Sequence, residues 1–229
     1  VLLGASDPSV SLDAWPFGCG AGAMRCAFLQ ADCAIQGFAL TGGHTDSATS
    51  GNGRRGGALW LDGGASALDC IITNNVGRQG VAINGQESGI APTAFALRCF
   101  IADNYPITDT AKTGGASGLV RSTTVGSSIF FGNHGSCFGT YERQYTFHTT
   151  FADAAEADYA GYLLAGGTNV NAVIFAQAGK LNGPTILGGV FRKRATDGGD
   201  IRQAASSSFV EADPLLADPA QGDFRLGAT

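Results

Sequence analysis

A short recurring block constrains this chain more than any other feature. In it, apolar residues run into a turn that closes on Gly, Asn or Gln. Ala39-Leu40-Thr41-Gly42-Gly43 aligns with Ile71-Ile72-Thr73-Asn74-Asn75, Phe100-Ile101-Ala102-Asp103-Asn104 and Ile129-Phe130-Phe131-Gly132-Asn133. Val173-Ile174-Phe175-Ala176-Gln177 is a weaker copy. The closing positions form a series: Gly43, Asn75, Asn104, Asn133 and Gln177. The blocks recur about every 30 residues, with one longer gap before Gln177, a period typical of stacked repeats. A unit this small cannot bury its own apolar face, so it must stack on its neighbours.

The residues just before the blocks are Phe38, Cys70, Cys99, Ser128 and Ala172, mostly compact and suited to an inward-facing stack. A second apolar element leads into each block: Gly57–Leu61, Gly80–Ile83, Gly118–Val120 and Gly161–Leu164. No segment carries a capped, sustained helical apolar period. Stacked in register, rungs would lie about 4.8 Å apart, with like residues over like. Recurring Asn at a turn can bond its neighbours above and below, and it tolerates left-handed backbone. Antiparallel hairpins would need tight Asn-Gly or Asp-Gly turns, whereas the links here are longer and irregular. The expected fold is therefore all-β and a parallel β-solenoid with irregular loops.

Composition agrees with many tight turns. Glycine contributes 35 of 229 residues and charged residues only 14%, against about 7% and about 25% in average domains. A net charge of −5 and the lack of a basic stripe argue against a nucleic-acid partner. Arg192-Lys193-Arg194 is the one dense basic cluster and is expected to be a solvated loop. No stretch has the length of a membrane span. Six cysteines are present, at 19, 26, 33, 70, 99 and 137. None forms a CxxC pair. A disulfide among Cys19, Cys26 and Cys33 would fit an extracellular chain, and Cys70 and Cys99 are expected to be buried thiols.

Several phrases resemble a known family. Ala34-Ile35-Gln36-Gly37-Phe38-Ala39-Leu40-Thr41-Gly42-Gly43 is similar to the rung of right-handed parallel β-helix repeat proteins. Gly56-Gly57-Ala58-Leu59-Trp60 resembles their rung start, and Leu68-Asp69-Cys70-Ile71-Ile72-Thr73-Asn74-Asn75 their rung end. Asp213-Pro214-Leu215-Leu216-Ala217-Asp218-Pro219, with Gly222-Asp223-Phe224-Arg225-Leu226, is similar to the segment after their last rung. The resemblance implies a right-handed, pectate-lyase-like β-helix of the large exported bacterial kind. It implies one domain over 1–229, with Cys-containing rungs or a cap over 1–33 and central rungs over 34–190. A terminal rung and the closing segment would fill 191–229. Asp69 departs from the usual Asn, and rungs beyond Asn133 are poor copies. The chain also stops at Thr229 where relatives continue, so it is expected to be a fragment or processed piece.

Chemistry is thinly marked. A β-helix lyase needs a basic residue, commonly with Ca²⁺ held by carboxylates, and a glycosidase needs carboxylates sharing a groove. The acidic residues here do not recur at one rung position. Asp69 and Arg98 both precede an aligned Cys, so register would make them neighbours, most simply as a surface ion pair; with Tyr105 they are the candidate ligand-binding residues. Tyr105 follows the Asn104 turn and is expected at the surface, where it could stack on a sugar. Trp60 is as suited to packing as to ligand contact. His134, Cys137 and His148 supply too few ligands for zinc. No catalytic residue, metal site or cofactor is therefore expected, and Ca²⁺ would enter only with a lyase. The expected function is a non-catalytic extracellular or cell-surface module: structural, adhesive or self-assembling, with polysaccharide or its own copies as partner. The alternative is a polysaccharide lyase or glycosidase.

Overall fold

A computed structural model describes residues 1–46, 51–86, 92–107, 119–134 and 145–152, with shorter strands at 162–165, 168–176, 180–182, 185–193, 207–211, 216–218 and 223–226. Those residues are essentially all β, with a single short 3₁₀ turn at Asn52–Arg54. The strands are short because glycine and left-handed residues interrupt the backbone every few positions.

Three parallel ladders dominate. The first stacks Ala34–Gln36, Ser66–Leu68, Ala94–Leu97, Thr123–Gly126 and Tyr145–Phe147. The second stacks Leu2–Leu3, Ala39–Thr41, Ile71–Thr73, Phe100–Ala102, Ile129–Phe131 and Thr150–Ala152. The long strand Thr168–Ala176 pairs with both ladders, and Thr185–Lys193 continues on it. The third ladder stacks Ala27–Leu29, Leu59–Leu61, Ile83–Gly85 and Val120–Arg121. A minor ladder pairs Val76–Gly77 with Tyr105–Pro106.

Two left-handed corners turn the chain between ladders. Gly37, Asp69, Arg98, Ser127 and His148 have positive φ between the first and second ladders. Gly42, Asn74, Asp103 and Gly132 do so just after the second. Glycine and asparagine favour that conformation, whereas Arg98, Ser127 and His148 are held there by the register on either side, at a cost of about 1 kcal/mol or more each.

Inward side chains of the three ladders meet in one core. Leu40, Ile72, Ile101, Phe130 and Phe151 descend from the second ladder, facing Ile35, Ala67, Ala96 and Val125 of the first and Leu59, Ile83 and Val120 of the third. Phe130 stacks on Phe151 with ring centroids 5.0 Å apart. β-branched and aromatic residues fit such half-buried pleats.

The longer gap between the Ile129 and Val173 blocks holds a further rung, with Thr150-Phe151-Ala152 in register between them. One expectation is corrected at the inward stack. Phe38 is exposed, unlike Cys70, Cys99 and Ser128. It follows Ala34–Gln36, the outermost strand of the first ladder, so no described rung covers it. The closing segment follows the last described parallel strand, Ser207–Glu211, as an antiparallel pair of Leu216–Asp218 with Asp223–Leu226. Gln177 lies outside the described residues.

Candidate functional site

The series of ladder residues is a closed hydrogen-bond chain. Asn75 Oδ1 accepts from the Gly43 amide at 2.9 Å, Asn104 Oδ1 from the Asn75 amide at 3.2 Å, and Asn133 Oδ1 from the Asn104 amide at 3.0 Å. The side-chain NH₂ groups donate backwards, Asn75 to the Leu40 carbonyl, Asn104 to Ile72 and Asn133 to Ile101. All three asparagines are buried. Each amide thus satisfies backbone groups that the corner pulls out of the ladders.

Gly43 takes the same position without a side chain. A Cβ there would lie 2.0 Å from the Gly57 carbonyl oxygen.

Asp69 and Arg98 meet across adjacent rungs. Arg98 Nε donates to Asp69 Oδ1 at 2.6 Å and Nη2 to Oδ2 at 2.9 Å, and Gln36 Nε2 adds a bond of 2.8 Å. Bonding from Arg98, then Gln36, pulls the Asp69 carboxyl down to about 2. Both residues sit at the first left-handed corner and are solvent-exposed. The pair is saturated by its own partners, so its geometry is that of a corner clasp.

Tyr105 is half-buried, which corrects the expectation of an exposed ring. Its ring lies 5.7 Å from Phe17 and 5.2 Å from His134. The N-terminal segment carrying Phe17 is itself organised by buried Asp7, which accepts from Ser9 Oγ and the Ser9 and Gly22 amides. Those bonds, Ser9 Oγ first, hold the Asp7 carboxyl below its usual range. His44 occupies the rung before Val76. Burial lowers its pKa, against a bond to the Gly42 carbonyl.

Sequence reasoning missed a cluster beside the third ladder. Phe28, Trp60, Asn84 and Arg121 stack in register on successive strands. Trp60 is buried, donates to Asp62 Oδ1 at 3.0 Å and lies under Arg25 at 5.4 Å. Buried Gln79 accepts from Arg55 Nε at 3.3 Å and from Arg121 Nη1 through the same oxygen. The Gln79 backbone donates to Arg54 and accepts from Gly56. Asn84 is fully buried, and its Oδ1 has no partner among the described residues. Guanidinium and amide groups of this kind can hold carboxylate or hydroxyl oxygens. Residues spread from 25 to 121 carry no local motif, so only the register brings them together.

The described cysteines are free thiols, so no disulfide joins Cys19, Cys26 and Cys33 to one another. Cys19 is buried beside Thr45, Cys26 donates to the Thr41 carbonyl at 3.3 Å, and Cys33 is exposed. They sit in three different surroundings. Cys70 and Cys99 are buried, as expected. The neighbouring Cys99 side chain lowers the pKa of Cys70, and the Cys70 side chain, with burial, raises that of Cys99.

Among the described residues, no group of His, Cys, Asp and Glu converges to hold a metal ion. No described helix is long and apolar enough to cross a membrane. The fold defines the class: an all-β protein of stacked parallel strands. Comparison with protein-family models, curated proteins and solved structures finds no match to this chain.

Proposed function

We propose that this chain is a right-handed parallel β-helix of the exported, pectate-lyase-like kind. We further propose that it works as a non-catalytic extracellular or cell-surface module: structural, adhesive or self-assembling, with polysaccharide or its own copies as partner. The observation that carries this reading is the buried series from Gly43 through Asn133. The polar residues that recur rung after rung are consumed by the backbone, so the repeat serves rigidity. Parallel in-register ladders joined by left-handed corners support the helical path, and parallel crossovers are right-handed in about 98% of cases. A stiff stack with one polar clasp and one arginine-rich flank suits a spacer that touches glycans.

Light scattering over a concentration series, combined with electrophoresis through gels cast with uronate-rich or neutral polysaccharides, tests this. Mass that grows with concentration, or retardation in one gel, is the expected result. A constant monomer that no polysaccharide retards overturns it.

A second reading, a polysaccharide lyase, is favoured by Arg55 and Arg121 converging on Gln79. Arginine is the kind of base such chemistry uses. Unsaturated product from a uronate panel at alkaline pH with Ca²⁺ would establish it, and no product across the panel would remove it.

A further inference from the structure

We propose that Cys70 and Cys99 are an oxidative modification site, closing as a disulfide that staples two adjacent rungs. The proposal rests on register and burial, and is independent of the function proposed above. Phe100 is the register partner of Ile71, and its amide donates to the Cys70 carbonyl at 2.9 Å. Cys99 therefore stacks directly on Cys70. Neighbouring strands lie about 4.8 Å apart, inside the range of about 4.4–6.8 Å that disulfides bridge between Cα atoms. Both side chains are buried on the same face of the stack. Both also point along the same path: Cys70 Sγ lies 3.2 Å from the Leu68 carbonyl oxygen, and Cys99 Sγ 3.5 Å from that of Leu97. No other pair of described cysteines shares a rung position in this way.

Both sulfurs are inside the stack, at 1% and 2% exposure. The oxidant must therefore be small, and hydrogen peroxide, close to water in size, meets that need. The Cys70 sulfur attacks one peroxide oxygen, the O–O bond breaks, and the departing hydroxide takes the Cys70 thiol proton to leave as water. This leaves a sulfenic acid on Cys70. The Cys99 sulfur then attacks the Cys70 sulfur, the S–O bond breaks, and hydroxide leaves with the Cys99 proton as a second water. Two thiols lose two electrons, and one peroxide becomes two waters.

The next rung shows that a hydroxyl is tolerated here. Ser128 occupies the same position, accepts from the Cys99 amide at 3.0 Å and donates to the Gly126 carbonyl at 2.8 Å. Cys99→Ser is therefore a variant the stack can hold.

The test uses the whole chain carrying Cys33→Ser, which removes the exposed thiol. After peroxide and quenching, tryptic peptides 56–78 and 99–112 are sought as one disulfide-linked species that reduction separates. The expected result is that species, with Tm raised on the order of 5 °C and the rise abolished by Cys99→Ser. Two outcomes would overturn the proposal. Both thiols could stay alkylatable under peroxide that fully oxidises Cys33 in the parent chain, or Cys70 could advance to sulfinic acid with Cys99 still reduced.

Discussion

At the scale of single residues, the stack depends on amides that satisfy backbone groups in both directions. Asn104 is the centre of that chain. It accepts from the Asn75 amide and donates to the carbonyls of Ile72 and Ala102. Asn104→Ala should strand these groups and cost about 2–4 kcal/mol, read as a lower urea midpoint. Asp69 makes a contrasting case because it is exposed. Its carboxyl is pulled down to about 2 by Arg98 and Gln36. A group with a lowered folded pKa contributes above its unfolded value, and that contribution fades as pH falls toward about 2. Carbon-13 titration should place the Asp69 midpoint near 2, and Arg98→Ala should return it toward the ordinary carboxylate range. A midpoint unchanged in the variant would mean that Arg98 is not the cause.

The element scale turns on what each corner can hold. By alignment, Gly43 looks like the place where the asparagine series could be extended. The Gly57 carbonyl, however, occupies the space a Cβ would need. Gly43→Asn should therefore destabilise the protein by about 2 kcal/mol or more, since backbone cannot step aside as a side chain can. Equal or higher stability of that variant, read by thermal denaturation, would contradict the packing described for this corner. Gly126 differs, because there a Cβ would meet the Phe147 side chain, a ring that can shift, rather than backbone.

Across the whole molecule, each rung depends on the rungs beside it, and stability is distributed along the stack. Ala34–Gln36 is the outermost strand of the first ladder and pairs on one side only, whereas Ala94–Leu97 pairs on both. Amide exchange should be faster over Ala34–Gln36 than over Ala94–Leu97. Equal protection of the two strands would indicate that another segment covers that edge. The exposure of Phe38 belongs to the same end of the ladder.

The parts of the fold that were legible in the sequence are those written in residue type at one position. Leu40, Ile72, Ile101 and Phe130 mark an inward column by alternation, and Gly42, Asn74 and Gly132 mark a corner because few other residues enter left-handed backbone freely. The neighbouring of Asp69 and Arg98 followed from the same register. The rung Tyr145–Ala152 was legible only as one of two readings, a degenerate rung or a packed loop, because Thr146 and Thr149 fill inward positions with hydroxyls and break the apolar pattern. Left-handed Arg98, Ser127 and His148 carry no local signal, because stacking imposes their conformation. Tyr105 could be placed on a rung, but its cover by Phe17 could not, since that contact crosses a long loop. Arg55, Gln79 and Arg121 converge only once three rungs are in register. By itself, then, the sequence determined the repeat and its ladder, where local conformation and burial depend on side-chain type. The tertiary structure alone decided which side chains meet across loops, because those distances depend on the paths of segments far apart in the chain.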